Sequence, residues 1–493
     1  MKTLTIKLRI RDPLEIIVIL SYLGMILPHY AIIGHLLPKM RSDIATHLTL
    51  SEVLIKSPTT YEAYPYIGFH IILTPISMIT DSALKYQVAG LLVFSNIFVG
   101  LALFIFLKKL FASSIPALFG ALMTASGNIV WLSMITFIFQ TDDYIMMNVL
   151  APLSFNSRYN LSSYLLLQFS PLSIIITLIC FSLMDVGGNV SSHDYKAFRL
   201  VRSIITYLSI YIMYLIHPLY SLLFHVLLLF SILVRAGIFT MNTSQRYPHN
   251  VILHLIIGGF IPAFISYFAI NTSYTYRFQT TMFSMLNASI SLLILLIAKK
   301  LNLIMQLLEK LNKYIGMSLK YVLSLFMVGV WVFSLCELES HVTEGFNAWM
   351  IVDDPTPLWL YPVLVGIGPI IMTTIAMICK DSETTSLSLL CLLFVSLFVL
   401  SVPLVDFINF NILGMHKIDG YVLYSGVTSG RILALANLLS NMFSGATVGF
   451  AIERNVGYRM SSVIGILALV LLLVPFLVSS LTYWNLVRNL VVK

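Results

Sequence analysis

Charge is scarce in this sequence: Asp, Glu, Lys and Arg together make up 10% of its 493 residues, while 58% are hydrophobic. A soluble domain carries roughly a quarter charged residues, so a fold solvated all round by water is excluded. Cysteine is rarer still. Cys180, Cys336, Cys379 and Cys391 lie in or at the edge of apolar runs, and no two stand in CxxC spacing. That excludes a disulfide framework and a zinc ribbon and leaves the thiols as small core residues. No Walker A loop, no dinucleotide-binding GxGxxG and no HExxH metal pair occurs, so ATP is not expected as a direct energy source. The net charge of +8 comes without a basic stripe interleaved with aromatics, and no nucleic-acid partner is expected. The basic residues instead occupy short loops beside apolar runs, where they orient a membrane protein and meet anionic membrane lipids.

What is present is a recurring apolar run of about twenty residues, long enough to cross a hydrocarbon layer of roughly 30 Å as a helix. Candidate spans are 14–36, 87–107, 115–139, 161–184, 251–270, 279–298, 317–336, 358–379, 386–404, 430–452 and 459–482. The basic segment Met1–Arg11 precedes the first run without a small-residue cleavage site, so that run is expected to be a retained span. Residues 65–82 contain Pro65, His70, Pro75 and Asp81 and make a poor lipid-facing span, and 204–234 is too long for one crossing and is interrupted at His217-Pro218. Placing 65–82 at the outer surface and folding 204–234 into a hairpin puts Lys108-Lys109, Lys196–Arg202, Arg235–Arg246, Lys299–Lys320, Lys380 and Arg454–Arg459 on the cytoplasmic side. The positive-inside bias favours this threading, which has about thirteen spans, a cytoplasmic N-terminus and an outer C-terminus. The expected fold is all-α and integral to the cell membrane, one polytopic domain over 1–493 with a juxtamembrane helix in the first outer loop, 37–86.

Polar residues gather in the loops this threading places outside. In the first, Asp43 and His47 stand at i and i+4 of a helix, so a carboxylate and an imidazole share one face. The pair suits removal of a proton from an acceptor hydroxyl, or equally a solvated surface helix capped by Ser42 or Asp43. Tyr64 and His70 follow in the same loop. The second outer loop holds Asp142-Asp143 and Arg158; adjacent acids there suit a divalent cation or a sugar hydroxyl, or simply a hydrated span end. The third carries Glu337, Glu339, His341, Glu344, Asp353 and Asp354 among Phe346, Trp349 and Trp359, mostly an interfacial aromatic belt. Arg431 opens a late span after Ser429-Gly430. Its guanidinium suits bidentate capture of a lipid phosphate, or plain snorkelling.

In this order of features the chain resembles the GT-C superfamily of membrane glycosyltransferases, which includes protein O-mannosyltransferases, aminoarabinose transferases and oligosaccharyltransferases. The likeness is carried by the first-loop acid in Arg41-Ser42-Asp43-Ile44-Ala45-Thr46-His47, by Tyr64-Pro65-Tyr66-Ile67-Gly68-Phe69-His70 where the family has YPPLFH-like text, and by Phe106-Leu107-Lys108-Lys109-Leu110-Phe111 at a basic cytoplasmic turn. His217-Pro218 and the late Arg431 complete it. The resemblance implies a polyprenyl-phosphate-sugar donor and a lipid or glycan acceptor. It implies Asp43 as catalytic base with His47 beside it, Asp142 or Asp143 as a second acidic site, Arg431 and Arg158 on the donor phosphate, and Tyr64 and His70 against substrate. It leaves open a divalent cation, Mg2+ or Mn2+, for which Asp142 and Asp143 would be the ligands. The acid is followed by no Trp or Tyr, YPY replaces YPP, and no WWDYG-like segment is present, which separates the chain from the oligosaccharyltransferases. The rival class is a lipid-linked-glycan flippase or other secondary transporter, which would place ionisable residues near mid-span. Here the span centres are nearly free of charge.

Overall fold

A computed structural model describes residues 13–36, 43–60, 67–124, 171–186, 196–237, 317–344, 357–379, 381–407 and 425–456, together with a few isolated positions between 289 and 310. These residues are helical throughout, with no strand among them. The helices are α1 (Pro13–Leu36), α2 (Asp43–Lys56), α3 (Ile67–Ser77), α4 (Ser82–Leu91), α5 (Ser95–Phe111), α6 (Ser114–Thr124), α7 (Pro171–Val186), α8 (Lys196–Ile216), α9 (Pro218–Gly237), α10 (Met317–Thr343), α11 (Tyr361–Val365), α12 (Gly368–Ile378), α13 (Ser382–Phe407) and α14 (Ser425–Val456). Among the described residues three stretches are long and apolar enough to cross a membrane, Leu319–His341, Ser382–Leu404 and Leu435–Arg454, and a bent pair makes a fourth if taken as one span. Much of what the count of thirteen relies on, including 251–270, most of 279–298 and 459–482, lies outside the described residues.

Between helices in a bilayer the hydrophobic effect gives little attraction, and close contact of small residues takes its place. α14 follows that rule. A Cβ on Gly445 would lie 2.4 Å from the Phe119 carbonyl oxygen, so only glycine lets α14 and α6 approach so closely. Aromatic contacts extend the core: Phe230 of α9 packs on Phe443 of α14 and Phe394 of α13, at 4.2 and 5.4 Å between centroids. α13 runs along α14 in an extensive contact, and α12 packs on both. From Ile432 to Phe450 the described side chains of α14 are nearly all buried, while α10 exposes Leu319, Val322, Leu325, Phe326 and Phe333, the surface expected to meet lipid tails. On the other side α1 lies on α5, α5 on α7, and α7 on α8 and α9. The buried hydroxyl of Tyr22 on α1 donates to the Ala121 carbonyl of α6 at 3.0 Å.

Proline and glycine set the breaks. α8 ends at Ile216 and α9 begins at Pro218, because proline carries no N–H and its ring clashes with the preceding turn. The expected span 358–379 is not one straight helix: α11 and α12 meet at 70°. Gly366 stands at the break with φ 84° and ψ −169°, a conformation open essentially to glycine alone, and Pro362 and Pro369 each sit near the start of a helix. The span expected at 87–107 begins earlier, in α4, passes through a 3-10 turn at Leu92–Phe94 and ends at Phe111. Asp81 starts it by accepting the Ala83 and Leu84 amides at 2.8 and 3.1 Å, the usual work of an N-cap carboxylate.

Candidate functional site

α2 and α3 follow the first long helix and pack against each other. At a rise of 1.5 Å per residue, fourteen and eleven residues extend only about 21 and 16 Å, short of the roughly 30 Å hydrocarbon layer. Neither crosses it alone, and the threading expected from the sequence puts both in a surface layer; α4 packs on α3 and α1. Glu52 of α2 holds this layer to α4 through Lys85 at 2.5 Å, with Lys56 3.7 Å away on its own helix. The hydrogen bond from Lys85 keeps the Glu52 carboxyl below the usual range.

The chemistry-bearing contact of this layer is between two imidazoles. His47 Nδ1 of α2 and His70 Nε2 of α3 are 2.7 Å apart, with ring centroids at 5.0 Å and planes inclined by 43°. Phe69 meets the His47 ring edge-on at 5.2 Å. His70 is fully buried and His47 half-buried. Burial, and secondarily the proximity of His47, pushes the His70 imidazole down to about 3, so at neutral pH that ring is uncharged. One turn before His47, Asp43 is the first residue of α2, where a carboxylate is favoured by the helix dipole.

A second polar cluster closes the C-terminal end of α10. His341 Nδ1 donates to the Glu337 carbonyl at 2.7 Å, lies 3.7 Å from the Glu337 carboxylate, and stacks on Trp359 at 4.6 Å and 24°. Glu339 and Glu344 are exposed, and Asp353, Asp354, Phe346 and Trp349 lie outside the described residues. Trp359 stands in the 3-10 turn that leads into the broken pair α11–α12.

The break itself is held by α14. Its bend frees backbone carbonyls, and the Asn437 side-chain amide donates to two of them, Leu364 and Val365, at 2.9 Å each. Asn441 in turn donates to the Asn437 carbonyl oxygen at 2.8 Å. Both amides are buried. Arg431 stands nearly two turns before Asn437 on the same helix, toward its outer end in the threading above. At the other end, Arg454 pairs with Glu383 at 2.5 Å and lies over Phe450. Asp381 there caps α13 by accepting the Thr384 amide and hydroxyl at 3.0 and 2.7 Å. Burial raises the Asp381 carboxyl, but these bonds outweigh it and hold the group low.

Of the residues singled out from sequence, His47 and His70 come together, an arrangement no spacing signalled, since 23 positions separate them. Asp43 and Arg431 are placed by backbone, at the start of α2 and in the second turn of α14. Tyr64, Asp142, Asp143 and Arg158 lie outside the described residues. Among the described residues no group of three or more His, Cys, Asp or Glu side chains could hold a metal ion. Sequence reasoning overlooked Asn437 and the break at Gly366. The second did carry a signal, a glycine between Pro362 and Pro369 inside an apolar run.

No family model matches the chain, and no curated protein matches it. Among solved structures it is similar to an oligosaccharyltransferase of Archaeoglobus fulgidus crystallised with Zn and sulfate, at 11% sequence identity and a TM-score of 0.46, over 95% of this chain and 52% of that one. The chain thus spans about half the length of that structure, and so distant a likeness carries no argument about either fold or chemistry.

Proposed function

We propose that the chain is a membrane glycosyltransferase of GT-C type, moving a sugar from a polyprenyl-phosphate-linked donor to a lipid or glycan acceptor at the outer face of the membrane. The observation that carries the reading is the α2–α3 layer: two helices too short to span, directly after α1, bearing Asp43, His47 and His70. The sequence resemblance singles out the same residues. In this mechanism the Asp43 carboxylate takes the proton of the acceptor hydroxyl as the acceptor oxygen bonds to the anomeric carbon. The bond from that carbon to the donor phosphate oxygen breaks, and Arg431 and Arg158 stabilise the departing phosphate's charge. Asp142 and Asp143 supply a second acidic site. A divalent cation held there would add Lewis-acid stabilisation, and no step above depends on it.

One observation favours a transport reading instead. Bent helix pairs with freed carbonyls near mid-membrane are typical of secondary transporters, and α11–α12 is bent by 70°. Here Asn437 occupies two of those carbonyls, which suits a fixed structural break better than a substrate site. The test reconstitutes the purified protein with a panel of radiolabelled polyprenyl-phosphate sugars and membrane extract. Asp43→Asn is expected to lower transfer by about 100-fold or more, the usual scale of general-base catalysis. Equal transfer by both proteins would remove Asp43 from the mechanism. Absence of transfer with every donor, together with movement of a labelled lipid-linked glycan across proteoliposomes, would replace the enzyme by a transporter.

A further inference from the structure

The His47–His70 contact joins two residues assigned separate roles, and its geometry restricts what each can do. A neutral imidazole has one N–H and one lone pair, so a 2.7 Å contact between His47 Nδ1 and His70 Nε2 requires one ring to donate and the other to accept. The protonation of one ring therefore dictates that of the other. The two rings differ in surroundings: His70 is fully buried, and His47 is half-buried. A charge costs more on the buried ring.

Nor can His70 easily withdraw. A Cβ on Gly68, two residues earlier, would lie 2.8 Å from the Leu215 carbonyl carbon of α8, so α3 rests directly on the α8 backbone. Phe69 fixes the other ring from its edge. The charged side chains nearby on these elements are committed elsewhere: Glu52 binds Lys85 and lies near Lys56. The other described ionisable groups on and beside the adjoining elements include Asp81, which caps α4, Tyr86 of α4, Tyr211 of α8 and His217 at the α8–α9 junction.

We propose that His70 is a positioning residue for His47: its buried Nε2 accepts the Nδ1 hydrogen of His47, so the pair takes up one proton and keeps it on the His47 ring. A proton arriving at His47 Nε2 makes that ring an imidazolium whose Nδ1–H already points at a neutral acceptor, a charge-assisted bond stronger than that between two neutral rings. His47 is thereby tuned as a proton reservoir one helical turn from Asp43. This deepens the glycosyltransferase reading and rests on it only for what the proton is used for.

The test needs no sugar substrate. Histidine side chains are labelled with 15N in the full-length protein in nanodiscs, and the two nitrogen shifts of His47, assigned through His47→Gln, are followed against pH. His70→Leu removes the acceptor, whereas His70→Gln keeps an amide oxygen at similar reach. The wild type should show a protonated Nδ1 on His47 with a titration midpoint roughly one pH unit above that of His70→Leu, the usual scale for losing a hydrogen bond to the charged form. His70→Gln should restore most of that difference. Identical tautomer and midpoint in wild type and His70→Leu would overturn the proposal. If His70→Leu does not fold, an unchanged His70 signal in His47→Ala would overturn it as well. Sugar transfer that survives while the histidine coupling is absent sinks this inference alone, and coupling present without any sugar transfer sinks the glycosyltransferase reading alone.

Discussion

The surface layer of α2, α3 and α4 and the buried group of α11 to α14 differ in the polar contacts that join their helices. In the surface layer polar side chains bind one another: Glu52 with Lys85, and His47 with His70. In the buried group the Asn437 amide serves the backbone instead, at the Leu364 and Val365 carbonyls, while hydroxyls of both regions, Thr49 and Thr74 as well as Thr373 and Ser388, bond carbonyls one turn back. The difference follows from solvent. A carbonyl freed inside a bilayer has no water to turn to and must find a protein donor, whereas near the headgroups water satisfies the backbone and leaves side chains available for chemistry. Polar residues near the surface are therefore the better candidates for function, and the buried amides of α14 for architecture.

That contrast can be broken or sharpened by substitution. The largest effect is expected in the buried group. Asn437→Leu strips the donors from two buried carbonyls and the acceptor from Asn441, at about 1–3 kcal/mol for each group left unsatisfied. It should lower the detergent melting temperature sharply, with Asn437→Gln intermediate, and a variant as stable as wild type would show that the break is not held by Asn437. Gly445→Leu comes next, since the added side chain must enter the α6 backbone. Overpacking of this kind costs about 1–3 kcal/mol, and a double variant with Asn437→Leu should be worse than either alone by the same thermal measurement.

A smaller effect is expected from acid. Folded His70 stays neutral down to about 3, whereas a free histidine takes a proton near 6.5, so between those values the unfolded chain binds the additional proton. Stability should rise with pH through that window, by up to about 1.4 kcal/mol per pH unit, and be flat above it. His70→Gln should reduce the slope, and urea titrations at several pH values read it directly. The smallest effect belongs to the partly exposed pair: Glu52→Gln should cost below about 1 kcal/mol, and a larger loss would mean that the surface layer depends on its ion pair as the buried group depends on Asn437.

The long helices were legible because apolar length alone specifies them: α1, α10, α13 and α14 fall within a few residues of the runs 14–36, 317–336, 386–404 and 430–452, with extensions at their ends. Extensions of that kind reflect polar residues that continue a helix past the hydrocarbon, as Glu337, Glu339 and His341 do in α10. The break at Gly366 was missed because average hydropathy does not register one glycine's dihedral angle. The His47–His70 contact was invisible for another reason: it depends on how α2 and α3 pack, and no local period relates residues on two helices joined through a turn. Asp43 and Arg431 were singled out by residue type and order; the first opens α2 and the second stands in the second turn of α14.

The relation between these two regions is tested most directly by paired cysteines. With Cys180, Cys336, Cys379 and Cys391 replaced by serine or alanine, Asp43→Cys and Arg431→Cys are treated in sealed, oriented vesicles with a membrane-impermeant maleimide, then with a short bifunctional thiol cross-linker. Labelling of both from the outer face, and a cross-link between them that a polyprenyl phosphate suppresses, is the predicted result. Labelling from opposite faces would contradict a common lipid-accessible hollow and with it the enzymatic mechanism.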